Sequence, residues 1–314
     1  MKLSRRRFMT ISAGLALGGA AGPAVAKTVS WKGVALGAEA KLIITGLPET
    51  DGRRLIQLAL KEIDRLENVF SLYRPNSTLC ALNSTGRLQS PPAELLFVLS
   101  QVSAIHTATG GLFDPTVQLL WQVFAEHRGR PDRGLVGAAL AKVGWPLVNY
   151  SMREIKFAGP GMQLTLNGIA QGFVTDRITE LLRSEGLENA VVNIGELSAM
   201  GCKPGVDGWP VGLAVHSDET ATDVIDLKDR CVATSASMGT TFDGVNSHII
   251  CPVTGRPVRS RWQRVSVVHR SAAIADGLST AAVLMDETQL VECMETFGQV
   301  RVNARRSDGS LLIL

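Results

Sequence analysis

The chain has 314 residues, 45% of them hydrophobic and 19% charged, with a formal net charge of +3. That length suits one large domain or two lobes, and the composition is that of a globular protein rather than a fibrous or disordered one. Lys2, Arg5, Arg6 and Arg7 lie in the first 26 residues, which hold no acid, so the +3 falls by four to about −1 for the rest, leaving no basic stripe for a nucleic acid.

The N-terminus reads Ser4-Arg5-Arg6-Arg7-Phe8-Met9, followed by a glycine-rich apolar run over 11–22 and the small-x-small triplet Ala24-Val25-Ala26. This predicts a twin-arginine signal peptide over 1–26 and a mature periplasmic chain over 27–314. The apolar run is too short to span a bilayer, which takes roughly 20 residues, and the mature chain shows no span. The five cysteines, Cys80, Cys202, Cys231, Cys251 and Cys293, form no C-x-x-C pair, which leaves zinc and thioredoxin-like readings unsupported. An exported compartment permits disulfides, but an odd count leaves at least one thiol unpaired within the chain. Most are expected to be buried and inert.

Residues 31–44 alternate as strands around Leu36-Gly37. Apolar residues then recur every three or four positions over 53–70, which predicts a helix ended by Pro75. Ser77 is placed to cap a short helix to Asn83. Tyr73, between them, is either a half-buried ring at a helix end or a ring that stacks on a planar ligand. A second helix starts at Pro91-Pro92 and stops at Gly110-Gly111. Asp114-Pro115-Thr116 opens a third over 117–124, and another is expected over 135–145. Strands are expected over 154–158 and 162–166, joined by a hairpin turn at Gly159-Pro160-Gly161.

The central stretch is 164–176, Leu-Thr-Leu-Asn-Gly-Ile-Ala-Gln-Gly-Phe-Val-Thr-Asp. It reads as strand, small-residue bend at Gly168–Gly172, and amphipathic helix over 173–184 closed by Gly186. A glycine bend lets backbone approach a ligand closely, and the helix N-terminus offers N–H groups to an anion. Tight strand–helix turns also use glycine for steric reasons alone. Strands follow over 190–194, 211–215 and 224–227. Residues 231–235 lead to 247–258, a strand entering a tight turn. A strand over 264–269 and a helix over 272–285 come next. In that helix Asp276 and Thr280 are four apart and face the same way. A carboxylate beside a hydroxyl suits a hard cation such as Mg2+. The plainer reading is a helix-dipole Asp and a Thr bonded back to its own helix.

Taken together, six segments resemble the ApbE family, the FAD:protein FMN transferases: Phe70–Asn83, Gly110–Thr116, Leu166–Gly172, Val232–Ser235, His248–Gly255 and Ala275–Thr280. They fall in the family's order and cover nearly all the mature chain. The resemblance implies an α+β fold related to the T-fold, mixing sheets and helices in a single compact catalytic unit. It implies FAD as substrate, Mg2+ as cofactor, and transfer of FMN onto a Thr or Ser hydroxyl with release of AMP. The implied metal ligands are Asp276, Thr280 and the backbone carbonyl of Gly168. Leu36, Tyr73, Leu112, Phe113, Asp114, Thr165, Gln171 and Ile249 fall where the family contacts FAD. His248 matches the histidine needed for transfer and, with Asp276, carries the catalytic expectation. The expected partner is the periplasmic domain of a membrane flavoprotein, respiratory or related to nitrous-oxide reduction. Cys251 stands where the family usually has Asp. Thr165 and Gln171 also differ from its common residues, and Asn193-Ile194-Gly195-Glu196 is one glycine short. Loss of the acid at Cys251 favours a non-catalytic FAD-binding or flavin-delivery protein, and an FAD pyrophosphatase is a third reading.

Overall fold

The backbone of the molecule is a single antiparallel sheet assembled from hairpins. The computed structural model describes residues 28–215, 221 and 223–314; the predicted signal peptide lies outside them. Strands β1 (Thr28–Ala35) and β2 (Ala38–Thr45) pair through a two-residue turn. Leu36 (φ 49°) and Gly37 (φ 81°) are both left-handed there, as a tight turn between twisted strands demands. Next come α1 (Glu49–Phe70), α2 (Thr78–Thr85), β3 (Arg87–Gln89), α3 (Ala93–Ala108), α4 (Gln118–Glu126), α5 (Arg133–Leu140), β4 (Val148–Tyr150), β5 (Glu154–Phe157) and α6 (Ala170–Ser184). The chain then returns as β6 (Ala190–Ile194) and β7 (Glu196–Met200), and β8 (Trp209–Leu213) and β9 (Asp223–Leu227) form a separate hairpin. It continues through β10 (Arg230–Ser235), β11 (Ile250–Cys251), β12 (Arg256–Pro257), β13 (Trp262–His269), α7 (Ala272–Ala282), α8 (Glu287–Phe297), β14 (Arg301–Arg306) and β15 (Leu311–Ile313).

The large sheet runs β1-β2-β6-β7-β10-β13-β14-β15. Both of its faces are buried in the middle. Leu42, Ile44, Val192, Val265 and Val267 point into the main core under α1, α3, α6 and α7. Their neighbours Ile43, Val191, Leu197, Val232 and Val268 point the other way, against Trp209, Val211 and Leu213 of the β8–β9 hairpin. Two-sided burial is why every residue of β6 and β7 is buried, the polar Asn193, Glu196 and Ser198 included. Among the described residues no helix is long and apolar enough to cross a membrane. All five cysteines are free thiols, with Cys231 and Cys293 buried.

Most expected elements are present. Ser77 Oγ accepts the Cys80 N–H at 3.1 Å as the cap of α2. The expected hairpin at Gly159-Pro160-Gly161 is absent, because β5 pairs with β3 and β4 instead. Residues 162–166 join no ladder. Asn83 replaces the neighbouring strand: its Nδ2 donates to the Leu164 carbonyl (2.8 Å) and its Oδ1 accepts the Leu164 N–H (2.7 Å). A side-chain amide has the donor and acceptor to do both. The alternation that suggested a strand still reports burial, since Met162, Leu164 and Leu166 are all inside. The elements after residue 285 carried no sequence expectation, and they complete one side of the sheet.

Helices α6 and α7 cross at their first turns. A Cβ on Gly172 would lie 2.3 Å from the Ala272 carbonyl oxygen, so the backbones meet where no side chain fits. Gly172→Ala is expected to lower the unfolding free energy by about 3 kcal/mol, the overpacking penalty of a rigid core. Gly137→Ala, in the interior of α5 with open space around it, is expected to be neutral or stabilising by about 0.5–1 kcal/mol. Urea titration of both variants checks the contrast.

Candidate active site

Each of the two crossing helices supplies an aspartate to the other's N-terminal turn. Asp176 of α6 accepts the Ala272 and Ala273 N–H groups at 2.7 and 3.1 Å and the Ser271 hydroxyl at 2.7 Å. Asp276 of α7 accepts the Gly172 N–H at 3.3 Å through Oδ2. Free N–H groups at a helix start need such partners. The exchange fixes the α6 entry, the α7 face and the bend at Gly168 relative to one another. A Cβ on Gly168 would sit 3.0 Å from Thr280 Oγ1, so this backbone lies directly against the α7 hydroxyl one turn beyond Asp276.

These groups form one wall of a cavity of about 1130 Å³. Gly168, Asp276, Thr280, Thr165 and Gln171 line this wall, and His248 and Ile249 come from the loop after β10. Tyr73, 41% exposed, also lines the cavity, as does the Leu112-Phe113-Asp114 turn. Of the residues expected to contact FAD or the metal, Leu36 alone is not on the wall. It sits in the β1–β2 turn, where its N–H donates to Glu67 at 2.5 Å, and Ala38 lines the cavity in its place. Asp114 faces the cavity, but its carboxylate is engaged internally. It accepts from the Thr116 N–H (2.8 Å), the Thr116 hydroxyl (2.6 Å) and the Trp145 N–H (2.8 Å). Cys251 is on β11 and does not line the cavity.

The electrostatics are those of charged groups withdrawn from water. Burial pushes the Asp276 carboxyl up to about 8; the Gly172 N–H opposes the shift and Asp176 adds to it. Burial also raises Glu196 well above the carboxylate range, with Asp276 adding to the effect. His248 is shifted down by burial, against the opposing hydrogen bond to Thr240. Its Nδ1 lies 2.8 Å from the Thr240 carbonyl oxygen. A carbonyl only accepts, so the proton of the neutral ring sits on Nδ1 and Nε2 keeps its lone pair. Near neutrality the site therefore holds a neutral imidazole able to take a proton.

Some wall residues had no role in the sequence reading. Gln118, Trp121, Gln122, Ala125 and Glu126 form one face of α4, at helical spacing. A satellite core of Leu120, Phe124, Ala139 and Ile250 anchors the helix from its other side. Glu196 is the second: the sequence reading named it only as part of the Asn193–Glu196 segment, with no role of its own. Its signal was a lone carboxylate inside the fully buried run of β6 and β7.

Fold and cavity together define an α+β enzyme with one large cleft at the end of an antiparallel sheet. The sequence pattern of the ApbE family spans residues 36–303. The chain belongs to that family. It is 31% identical over 247 residues to an FAD:protein FMN transferase of Vibrio cholerae, covering 72% of this chain and 73% of the relative. It is 30% identical over 262 residues to one of Treponema pallidum, with 73% and 72% covered. The solved ApbE protein of Thermotoga maritima superposes with a TM-score of 0.80 at 25% identity, over 91% of this chain and 96% of that one. The flavin transferase ApbE of Vibrio cholerae shares the fold, with a TM-score of 0.78 over 92% and 97% of the two chains.

The raised carboxyls make stability depend on pH. Between the ordinary aspartate value, near 4, and about 8, the folded state keeps a proton on Asp276 that the unfolded chain releases, so stability falls as pH rises through that range. His248 acts in the opposite sense: the unfolded chain binds its proton more readily, so its effect is a loss of stability as pH falls below about 6.5. A melting series on chelator-treated protein from about pH 7 to 9 separates the two. The melting temperature is expected to drop by about 5 °C, and Asp276→Asn to flatten the slope.

Proposed function

We propose that this protein transfers FMN from FAD onto a Thr or Ser hydroxyl of a target flavoprotein, with Mg2+ as cofactor and AMP as the other product. The observation that carries the reading is the convergence, on one cavity, of Gly168, Asp276 and Thr280 with His248 and Tyr73. Family membership and the names of the relatives support it.

The donor set fits Mg2+. Asp276 uses Oδ2 on the Gly172 N–H, which leaves Oδ1 for a cation. Thr280 supplies a hydroxyl and Gly168 a carbonyl, all hard oxygen donors, with room for phosphate oxygens. When bound, the cation offsets the charge that builds on the pyrophosphate during transfer. The chain's residues bind and orient. Tyr73 offers a ring face at the cavity mouth for the isoalloxazine, and the α6 N-terminus faces the phosphates. His248 Nε2 takes the proton of the incoming hydroxyl. The hydroxyl oxygen then bonds to the FMN phosphorus, the bond from that phosphorus to the bridging oxygen breaks, and AMP leaves with that oxygen and the bonding pair.

Cys251, whose identity favoured a flavin-delivery protein, is off the wall, so the replacement leaves the cavity lining unchanged. That supports the catalytic reading. Arg5-Arg6-Arg7 and the triplet ending at Ala26 support periplasmic placement after twin-arginine export, with the exported domain of a membrane flavoprotein as acceptor.

Mature protein, FAD, Mg2+ and such an acceptor domain are expected to give an acceptor heavier by one FMN on intact mass spectrometry. Asp276→Ala is expected to abolish the gain. His248→Ala is expected to slow it by about 100-fold or more with FAD affinity retained. A full transfer rate in His248→Ala would remove the base assignment. No gain in mass with any acceptor, with FAD still tightly held, would favour flavin delivery, and AMP release without acceptor would favour the pyrophosphatase.

A further inference from the structure

We propose that Glu196 is a second carboxylate of the metal centre, facing the divalent cation together with Asp276. The inference rests on the Mg2+ site described above and adds a residue to it.

Three observations bring Glu196 to that position. First, the link between β6 and β7 is one residue long. Gly195 (φ 86°) makes the turn, and Ile194 pairs directly with Glu196. The first residue of β7 is thereby fixed at the cavity end of the sheet, and the turn presses on Gln171 so closely that a Cβ on Gly195 would be 2.5 Å from its side chain. Second, the backbone of Glu196 and the carboxylate of Asp276 are both held by the same turn of α6. The Thr175 hydroxyl donates to the Glu196 carbonyl oxygen at 3.1 Å, and the Gly172 N–H donates to Asp276. β10 closes the arrangement, with Ser235 Oγ 2.9 Å from Ser279 Oγ on α7. Third, both carboxyls line the cavity while more than nine-tenths buried, Glu196 at 8% exposure and Asp276 at 4%. Among the described residues no Lys, Arg or His forms an ion pair with either. The Glu196 carboxylate has the Thr234 N–H, and Asp276 has that of Gly172.

Two buried acids lining one cavity without a basic partner repel each other when ionised and are poorly solvated. A divalent cation reverses the sign of that interaction, because both negative charges then attract one centre. Asp276 alone offers the cation one formal charge; with Glu196 the site offers two and neutralises the ion. Affinity for hard cations follows the number of charged ligands. Glu196 thus adds to affinity for the loaded metal at the expense of the metal-free fold.

The test uses the mature protein with Mn2+ alone, followed by calorimetry and by the electron paramagnetic signal of free ion, without FAD or acceptor. Glu196→Gln keeps the shape and removes the charge. It is expected to weaken Mn2+ binding by about 10- to 100-fold while the metal-free protein melts at the same temperature or higher. Unchanged Mn2+ affinity in Glu196→Gln, with affinity lost in Asp276→Asn, would overturn the proposal and leave the metal site standing. Unchanged affinity in both would remove the metal site and the proposal together. Glu196→Asp keeps the charge on a shorter arm and is the second variant should the amide not fold. It is expected to bind about 3- to 10-fold more weakly than wild type, and wild-type affinity would overturn the proposal.

Discussion

Helices α6 and α7 touch backbone to backbone, and the rest of the site depends on that contact. It exists because Gly172 has no side chain and because Asp176 and Asp276 each satisfy the other helix's free N–H groups. A hydrogen bond from an N–H to a carboxylate is stronger than a neutral one. Both are withdrawn from water, so little competes with them. The crossing therefore locks three things at once: the bend at Gly168, the start of α6 and the polar face of α7. None of the three would be held to that position by its own element alone.

The sheet contributes by where its hairpins end. The β6–β7 turn, the last residues of β10 and the start of β2 lie at one end, which is the floor of the cavity. The helical insertions between β2 and β6 and between β13 and β14 leave from and return to the opposite end, whereas the connection from β10 to β13 starts and ends at this one. The loop holding His248 runs between β10 and β11, and a bridge between Thr241 and Ser247 and the bond from His248 to Thr240 steady it. The far wall is α4, held by its own small core. A large cleft is thus enclosed by rigid elements, as precise placement of reacting groups requires.

Burying carboxyls is costly to a fold, and this one carries several at a single place. Asp114 and Asp176 are matched by donors on all sides and act as structural anchors. Asp276 and Glu196 are less well matched, each with a single backbone N–H as donor. Sites for ligands are where a fold tolerates such imbalance.

The sequence by itself determined the local elements and the membership of the site's main group. Periodicity reports burial, so α1, α3, α6 and the core strands were legible, and so were Asp276 with Thr280 on one helical face. It was less reliable where a side chain stood in for a strand: the alternation of Met162, Leu164 and Leu166 gave their burial correctly but suggested a ladder that Asn83 replaces. Only the tertiary structure decided which polar groups converge. Gly172 and Asp276 are 104 residues apart and Asn83 and Leu164 are 81 apart, and no local pattern encodes such distances. The same reason turns the Asp114 carboxylate inward, leaves Leu36 and Cys251 off the cavity wall, and brings Glu196 onto it. A side chain's role depends on what the fold places opposite it, and that partner comes from a distant part of the chain.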